Sequence, residues 1–172
     1  MNKKLFYYTI AGILFTDITG TLLHFAYELS GQNPLVALFA PVNESIWEHM
    51  KIVFFPSLLF VLSGWAFFCH STPSFFGSFL TGVLTGTLSI TVIFYTYTGI
   101  LGNHDLILDI LTFLAGVLIT FCLGYQLVIQ NCRILPIPFL VFLIVTLFVC
   151  FVIFTNTPPD VALFNNFVSI ER

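Results

Sequence analysis

Five apolar runs, each about as long as a bilayer is thick, follow one another along the chain with little sequence between them. A hydrocarbon core about 30 Å thick is crossed by roughly 20 helical residues. Residues 5–28, 45–69, 74–98, 105–128 and 134–155 each supply such a stretch. The runs are continuously apolar, without the alternation of barrel strands, and only a helix satisfies its backbone polar groups within one segment. The expected fold is therefore all-α: one integral membrane domain, a bundle of five transmembrane helices followed by a short C-terminal tail, 156–172. Composition separates membrane spans from buried core helices. Charged residues make up 8% of the chain and apolar ones 58%, whereas a soluble domain dresses its surface with about 25% charged residues. A net charge of -3 with five Lys plus Arg builds no phosphate-binding face, which excludes nucleic acid as a partner. Membrane lipids are the expected surroundings, and a multi-pass protein of the cell membrane is the expected setting.

The start, MNKK and a long apolar run, differs from a signal peptide: the run exceeds 20 residues, contains Asp17 and is followed by no small-residue cleavage site, so it reads as a retained first helix. Lys3, Lys4 and Arg133 fall on one side of the predicted spans, Lys51 and Arg172 on the other. The excess of basic residues marks the cytoplasmic side, which puts the N-terminus inside and the C-terminus outside. Cys69, Cys122, Cys132 and Cys150 show no CxxC spacing, and with Cys69 and Cys132 near a reducing cytoplasm they read as free thiols. Ser78, Gly82, Gly86 and Ser89 place small residues along one face of the third span. Such a face packs closely within the bundle or forms the seam of a homodimer. Pro56 removes a backbone donor from the second span and is expected to bend it.

Charge is sorted by membrane level. Of the eight acidic residues, all but Asp17 lie at the outer end of a span or in an outer segment, and His24, His49 and His104 join them. On the first span Asp17, Thr21, His24 and Glu28 recur every three or four residues, so they form one helical stripe. A carboxylate at the depth of Asp17 costs at least about 2.5 kcal/mol toward lipid and must face the bundle, pair or take a proton. The second cluster is residues 41–51, PVNESIWEHMK, in which Ser45 and Glu48 have the spacing of a capping box and Trp47 suits an interfacial anchor. Glu44 and Glu48 stand one turn apart, with Lys51 able to neutralise one of them. The third cluster is Asn103, His104 and Asp105, then Asp109 one turn into the fourth span. Asn103 or Asp105 can cap that helix. Asp109 is too deep to cap and needs a partner, which Tyr95 or Tyr97 could supply.

Glu28, Glu44, Glu48, Asp105 and Asp109 thus arrive at one level against the single ammonium of Lys51. Five carboxylates in a partly desolvated cleft require protons or a metal ion. With His24, His49 and His104 they form the mixed imidazole and carboxylate set that Zn²⁺, Mn²⁺ or Fe²⁺ accepts. No HExxH, GxSxG, phosphate-loop or dinucleotide motif names a chemistry.

The run PVNESIWEHMK, the H-x-x-x-E of His24 and Glu28, the segment YTYTGILGNHDLILDI and the tail TPPDVALF together resemble a group of small bacterial integral membrane proteins of unknown function. The resemblance spans most of the chain, and the PVNESxWEH run is its specific part. It implies a five-helix polytopic protein and importance for Asn43, Glu44, Glu48 and His49, and implies no known reaction. The tail, with Asn165 and Asn166 after Phe164, departs from that pattern. A more distant likeness is to alkaline ceramidases, membrane hydrolases whose sites gather His, Asp and Glu around zinc. Their histidine-rich last helix has no counterpart, because the fifth span contains no His.

Three readings stay open. The first is a metal-dependent membrane hydrolase of a lipid or amphiphile: His24, Glu28, His49, His104, Asp105 and Asp109 are the candidate metal ligands, and Glu44 or Glu48 accepts a proton from metal-bound water. The second is a proton- or cation-coupled carrier, in which Asp17 is central. The third is a non-catalytic membrane subunit whose polar residues hold the bundle together.

Overall fold

The computed structural model describes residues 3–68, 72–132 and 134–165. Every regular element among them is helical: α1 (Lys3–Leu29), α2 (Pro34–Ala37), α3 (Ile46–Phe68), α4 (Phe75–Leu101), α5 (Leu106–Ile129) and α6 (Ile137–Asn156), then a single 3₁₀ turn, Ala162–Phe164. Five of these, all but α2, are long and apolar enough to cross a membrane. The five expected spans are present with ends displaced by a few residues, and the displacements have local causes. α4 runs on to Leu101 because its stop signal is Gly102, which takes the left-handed conformation at φ 79° and returns its N–H to the Thr98 carbonyl. α6 starts late, after Pro136, with proline again in its first turn, where a missing N–H costs nothing. α2 was not expected. Asn33 caps it by accepting the Leu35 N–H, and Pro34 opens it.

Helices consecutive among the five spans run antiparallel where they pack, as do α1 beside α5 and α3 beside α6, whereas α4 beside α6 and α3 beside α5 run the same way. Trp47 meets Phe154 while Phe55 meets Phe148, which fixes α3 against α6. Gly77 of α4 lies beside Ile137 and Leu140 of α6, so those two run the same way. α3 and α4 are the most buried of the five, and the aromatic core forms around them from Phe54, Phe75, Phe79, Phe121 and Phe151. Pro56 lies inside α3 and cannot donate to the Ile52 carbonyl. That oxygen faces Gly20 of α1, where only a residue without a side chain lets the two backbones approach so closely.

The small-residue face of α4 is occupied within the chain. Gly82 and Gly86 sit against the α5 backbone at Gly116 and Thr120, while Gly116 and Gly124 receive Ile90 and Phe79 in return. Close packing within the bundle, one of the two uses expected of this face, is therefore present at Gly82 and Gly86. Trp47 also departs from expectation. It is no interfacial anchor but is buried against Phe151, Phe154 and Phe164, because the C-terminal segment folds back over α3 through its 3₁₀ turn. Cys69, Arg133, Asn166 and Arg172, used above for topology and tail, lie outside the described residues.

Gly86→Val should force α4 and α5 apart and lower unfolding stability by about 1–3 kcal/mol or more, since backbone atoms cannot yield to the added carbons. Gly99→Ala on the same helix meets nothing within 4 Å and should be nearly neutral. Thermal unfolding of both variants in detergent checks this, and equal melting temperatures would contradict the packing described.

Candidate metal centre

At the end of the bundle where α1 and α4 finish and α3 and α5 begin, four helices enclose a cavity of about 450 Å³, within the usual range for small-molecule sites. Its back wall is apolar, with Ile52, Ile90, Phe94 and Phe113, and its ionisable groups are His24 from α1, Glu44 and His49 from just before and within the start of α3, and His104 and Asp109 from just before and within the start of α5. The three sequence clusters therefore meet. Each is delivered by a helix end at the same level, as the alternation of the spans requires.

The loop before α3 is built to hold Glu44. Asn43 accepts the Ser45 N–H at 2.9 Å, Ser45 Oγ accepts the Glu48 N–H at 3.4 Å, and the Glu48 carboxylate reaches back to the Val42 N–H at 3.0 Å. This is a capping box whose return bond has moved three residues upstream. Asn43 thus turns the backbone rather than facing the cavity. One turn into α3, His49 Nδ1 lies 2.9 Å from the Ser45 carbonyl. A carbonyl can only accept, so Nδ1 carries the hydrogen, and Nε2 is turned to Glu44 Oε2 at 3.2 Å. The other carboxylate oxygen of Glu44 is 3.8 Å from His24 Nε2, and the two imidazole rings lie 5.2 Å apart. One ligand atom from each of His24, Glu44 and His49 falls within 4.8 Å of the other two. The Nδ1 of His24 is buried without a hydrogen-bond partner. The hydrogen bond with His49 is the main influence on Glu44 and holds its carboxyl below the usual carboxylate range, against the opposing pull of partial burial.

Across the cavity Asp109 is held at both oxygens. Tyr97 donates its hydroxyl to Oδ1, and His104 Nδ1 lies 3.3 Å from Oδ2. This supplies the partner that the depth of Asp109 demanded. The aromatic hydroxyl comes from the last turns of α4 and the histidine from the short 102–105 link, so α4, the link and α5 are tied together at the cavity rim.

Other expected site residues are placed elsewhere. Asp105 caps α5 by accepting the Ile107 and Leu108 N–H groups, so its carboxylate is spent on the backbone. Glu28 is exposed and lies outside the cavity wall. Asp17 is half-buried with Oδ1 unpartnered, about 10 Å below His24 at about 1.5 Å per residue. Glu48 and Lys51 turn away from the cavity toward α6. Lys51 Nζ, fully buried, binds Glu48 Oε2 at 2.7 Å, Thr155 Oγ1 at 2.6 Å and the carbonyl of Ala37 at 3.0 Å. Thr155 also donates to Glu48 Oε1 at 3.1 Å. Expected as a proton acceptor, Glu48 instead has both oxygens engaged in a closed ion pair. Thr155 carried no sequence signal, because it lies 104 residues from Lys51 and reads as one more residue of an apolar span.

Five membrane-length helices around a His and carboxylate cavity at one end define a polytopic helical membrane protein with a polar site set into its apolar interior. The chain belongs to a family of unknown function, DUF6512, whose family model matches residues 1–171. No curated protein and no solved structure matches it.

Breaking the buried pair from one side leaves an uncompensated charge, a loss of about 3–5 kcal/mol, whereas removing both charges together is often close to neutral. Lys51→Met should therefore unfold at markedly lower temperature or denaturant than Glu48→Gln/Lys51→Met. A single variant as stable as the double would mean that the two charges are not coupled.

Proposed function

We propose that this protein is a metal-dependent membrane hydrolase of a lipid or amphiphile, with a divalent zinc, manganese or iron ion held by His24, Glu44 and His49. The observation that carries the reading is the approach of His49 Nε2 to Glu44 Oε2 at 3.2 Å while Nδ1 is committed to the Ser45 carbonyl. In the neutral ring two acceptors then face each other, an arrangement that requires a positive species, a metal ion or a proton. A carbonyl that orients the ring through Nδ1 is the usual support for a histidine binding metal through Nε2. His24 Nε2, 3.8 Å from the other oxygen of Glu44, offers the third ligand atom for the same ion.

When bound, the ion lowers the pKa of its water toward 7 and polarises the bond to be cut. His104, oriented by Asp109 as Asp109 is by Tyr97, takes the proton as the water oxygen bonds to the acyl carbon or phosphorus. It returns the proton to the leaving oxygen, so water is the only co-reactant and the base is regenerated. The apolar back wall suits the hydrocarbon part of an amphiphile. Asp17 supports a second reading, a proton- or cation-coupled carrier, because an unpartnered carboxylate oxygen within a span is a functional site by default. The basic residues Lys3 and Lys4 support an N-terminus in the cytoplasm, with the cavity at the extracytoplasmic face of the cell membrane.

Tag-free protein should contain close to one equivalent of zinc, manganese or iron by mass spectrometry. His49→Ala and Glu44→Ala should lose most of it, while Asp17→Asn keeps it. Metal-free wild-type protein that also fails to take up added zinc would contradict the reading, and loss of metal in Asp17→Asn would move the centre deeper and favour the carrier. For orientation, Asn103→Cys, on the exposed link after α4, should react with a membrane-impermeant maleimide on intact cells. The native, exposed Cys132 at the opposite end should react only after permeabilisation, and the reverse pattern would place the cavity on the cytoplasmic side.

A further inference from the structure

We propose that the cavity opens sideways into the bilayer between α1 and α5, so that its substrate is a membrane lipid whose acyl chain enters through that gap. This deepens the hydrolase reading and rests on it for the chemistry.

The asymmetry of the cavity wall carries the inference. Its back is sealed, with Ile90 and Phe94 of α4 each only 3% exposed, yet its lips are open, with Phe25 at 54%, Leu106 at 72% and Ile110 at 51%. The lips belong to two helices alone, one turn apart on each: Thr21 and Phe25 on α1, Leu106 and Ile110 on α5. These positions lie inside segments long and apolar enough to cross a membrane, and an apolar mouth there suits acyl chains. A mouth serving a soluble substrate would carry polar groups. Here the only polar lip residue, Thr21, has already given its hydroxyl to the Asp17 carbonyl at 2.7 Å.

The gap is confined to the level of the site. Deeper in the membrane α1 and α5 close on each other, with Gly20 against Phe113 and Gly12 against Phe121. At the opposite, polar end Glu44 and His49 stand beside the opening, with the Glu44 side chain about half exposed. An amphiphile oriented as in the surrounding leaflet therefore brings its chain through the α1/α5 gap and its carbonyl or phosphoryl group to His24, Glu44 and His49, without leaving the membrane.

The native tryptophans supply controls for a direct test. Trp65 is 52% exposed on the outer surface of α3 and Trp47 is 7% exposed in the α3/α6 core. Three single-tryptophan proteins are needed: Trp47→Phe, Trp65→Phe, and Phe94→Trp with both native tryptophans replaced by Phe. Each is placed in vesicles of phosphatidylcholine brominated along its acyl chains, which quench tryptophan on contact. Trp65 should lose much of its emission and Trp47 little. The indole introduced at position 94, on the sealed wall, should lose a fraction close to that of Trp65. Emission as protected as that of Trp47, or quenched only by aqueous iodide, would overturn the proposal. Should Phe94→Trp fail to fold, Phe113→Trp on the cavity floor gives the same reading. Metal content measured on the same samples separates the two ideas: quenching without metal keeps lipid access and defeats the metal centre, and metal without quenching does the reverse.

Discussion

A single ammonium group organises the polar end of this bundle. Lys51 is fully buried, and its four acceptors come from three places: Glu48 on its own helix, Thr155 on α6, and the carbonyls of Ala37 and Ala40 at and just after the end of α2. An unpaired charge there would cost several kcal/mol, so the loop before α3, the start of α3 and the end of α6 are held in one arrangement. Glu48 passes the constraint on by gripping the Val42 N–H. The loop that it fixes is the one that carries Glu44 to the cavity.

The same logic applies to each helix end around the cavity. The chain itself caps the starts of α3 and α5, and these caps decide which side chains remain for other work. Asp105 is consumed as the cap of α5, and Asn43 as the turn before α3. The set facing the cavity is His24, Glu44 and His49 on one side, and the His104 and Asp109 pair on the other. Acidic residues crowd this level because some build the helix ends and others form the site.

The five spans and their alternation are legible in the sequence, since run length alone fixes both. So is the gathering of three clusters at one end, as alternating helices bring the residues after α1 and α4 to the same level as those before α3 and α5. The division of labour within the clusters is not legible. Glu44 and Glu48 look equivalent in the run NESIWE, but one is turned to the cavity and the other to Lys51, a choice made by Thr155 from a distant helix. Likewise the spacing of Asp17, Thr21, His24 and Glu28 gives one stripe. Where α5 closes on α1, at Gly12 and Gly20, decides that only Thr21 and His24 of that stripe line the cavity. Tyr97 was within reach of a sequence argument, because Asp109 one turn inside a span demanded a donor and the outer end of α4 offered two tyrosines.

X-ray absorption at the metal edge of tag-free protein in lipid nanodiscs tests the central claim most directly, namely that His24, Glu44 and His49 converge on one ion. The account requires a first shell of nitrogen and oxygen at about 2.0–2.2 Å, with the outer-shell scattering of two or more imidazole rings. A shell of oxygen alone, a sulfur shell, or the absence of any metal edge would contradict it.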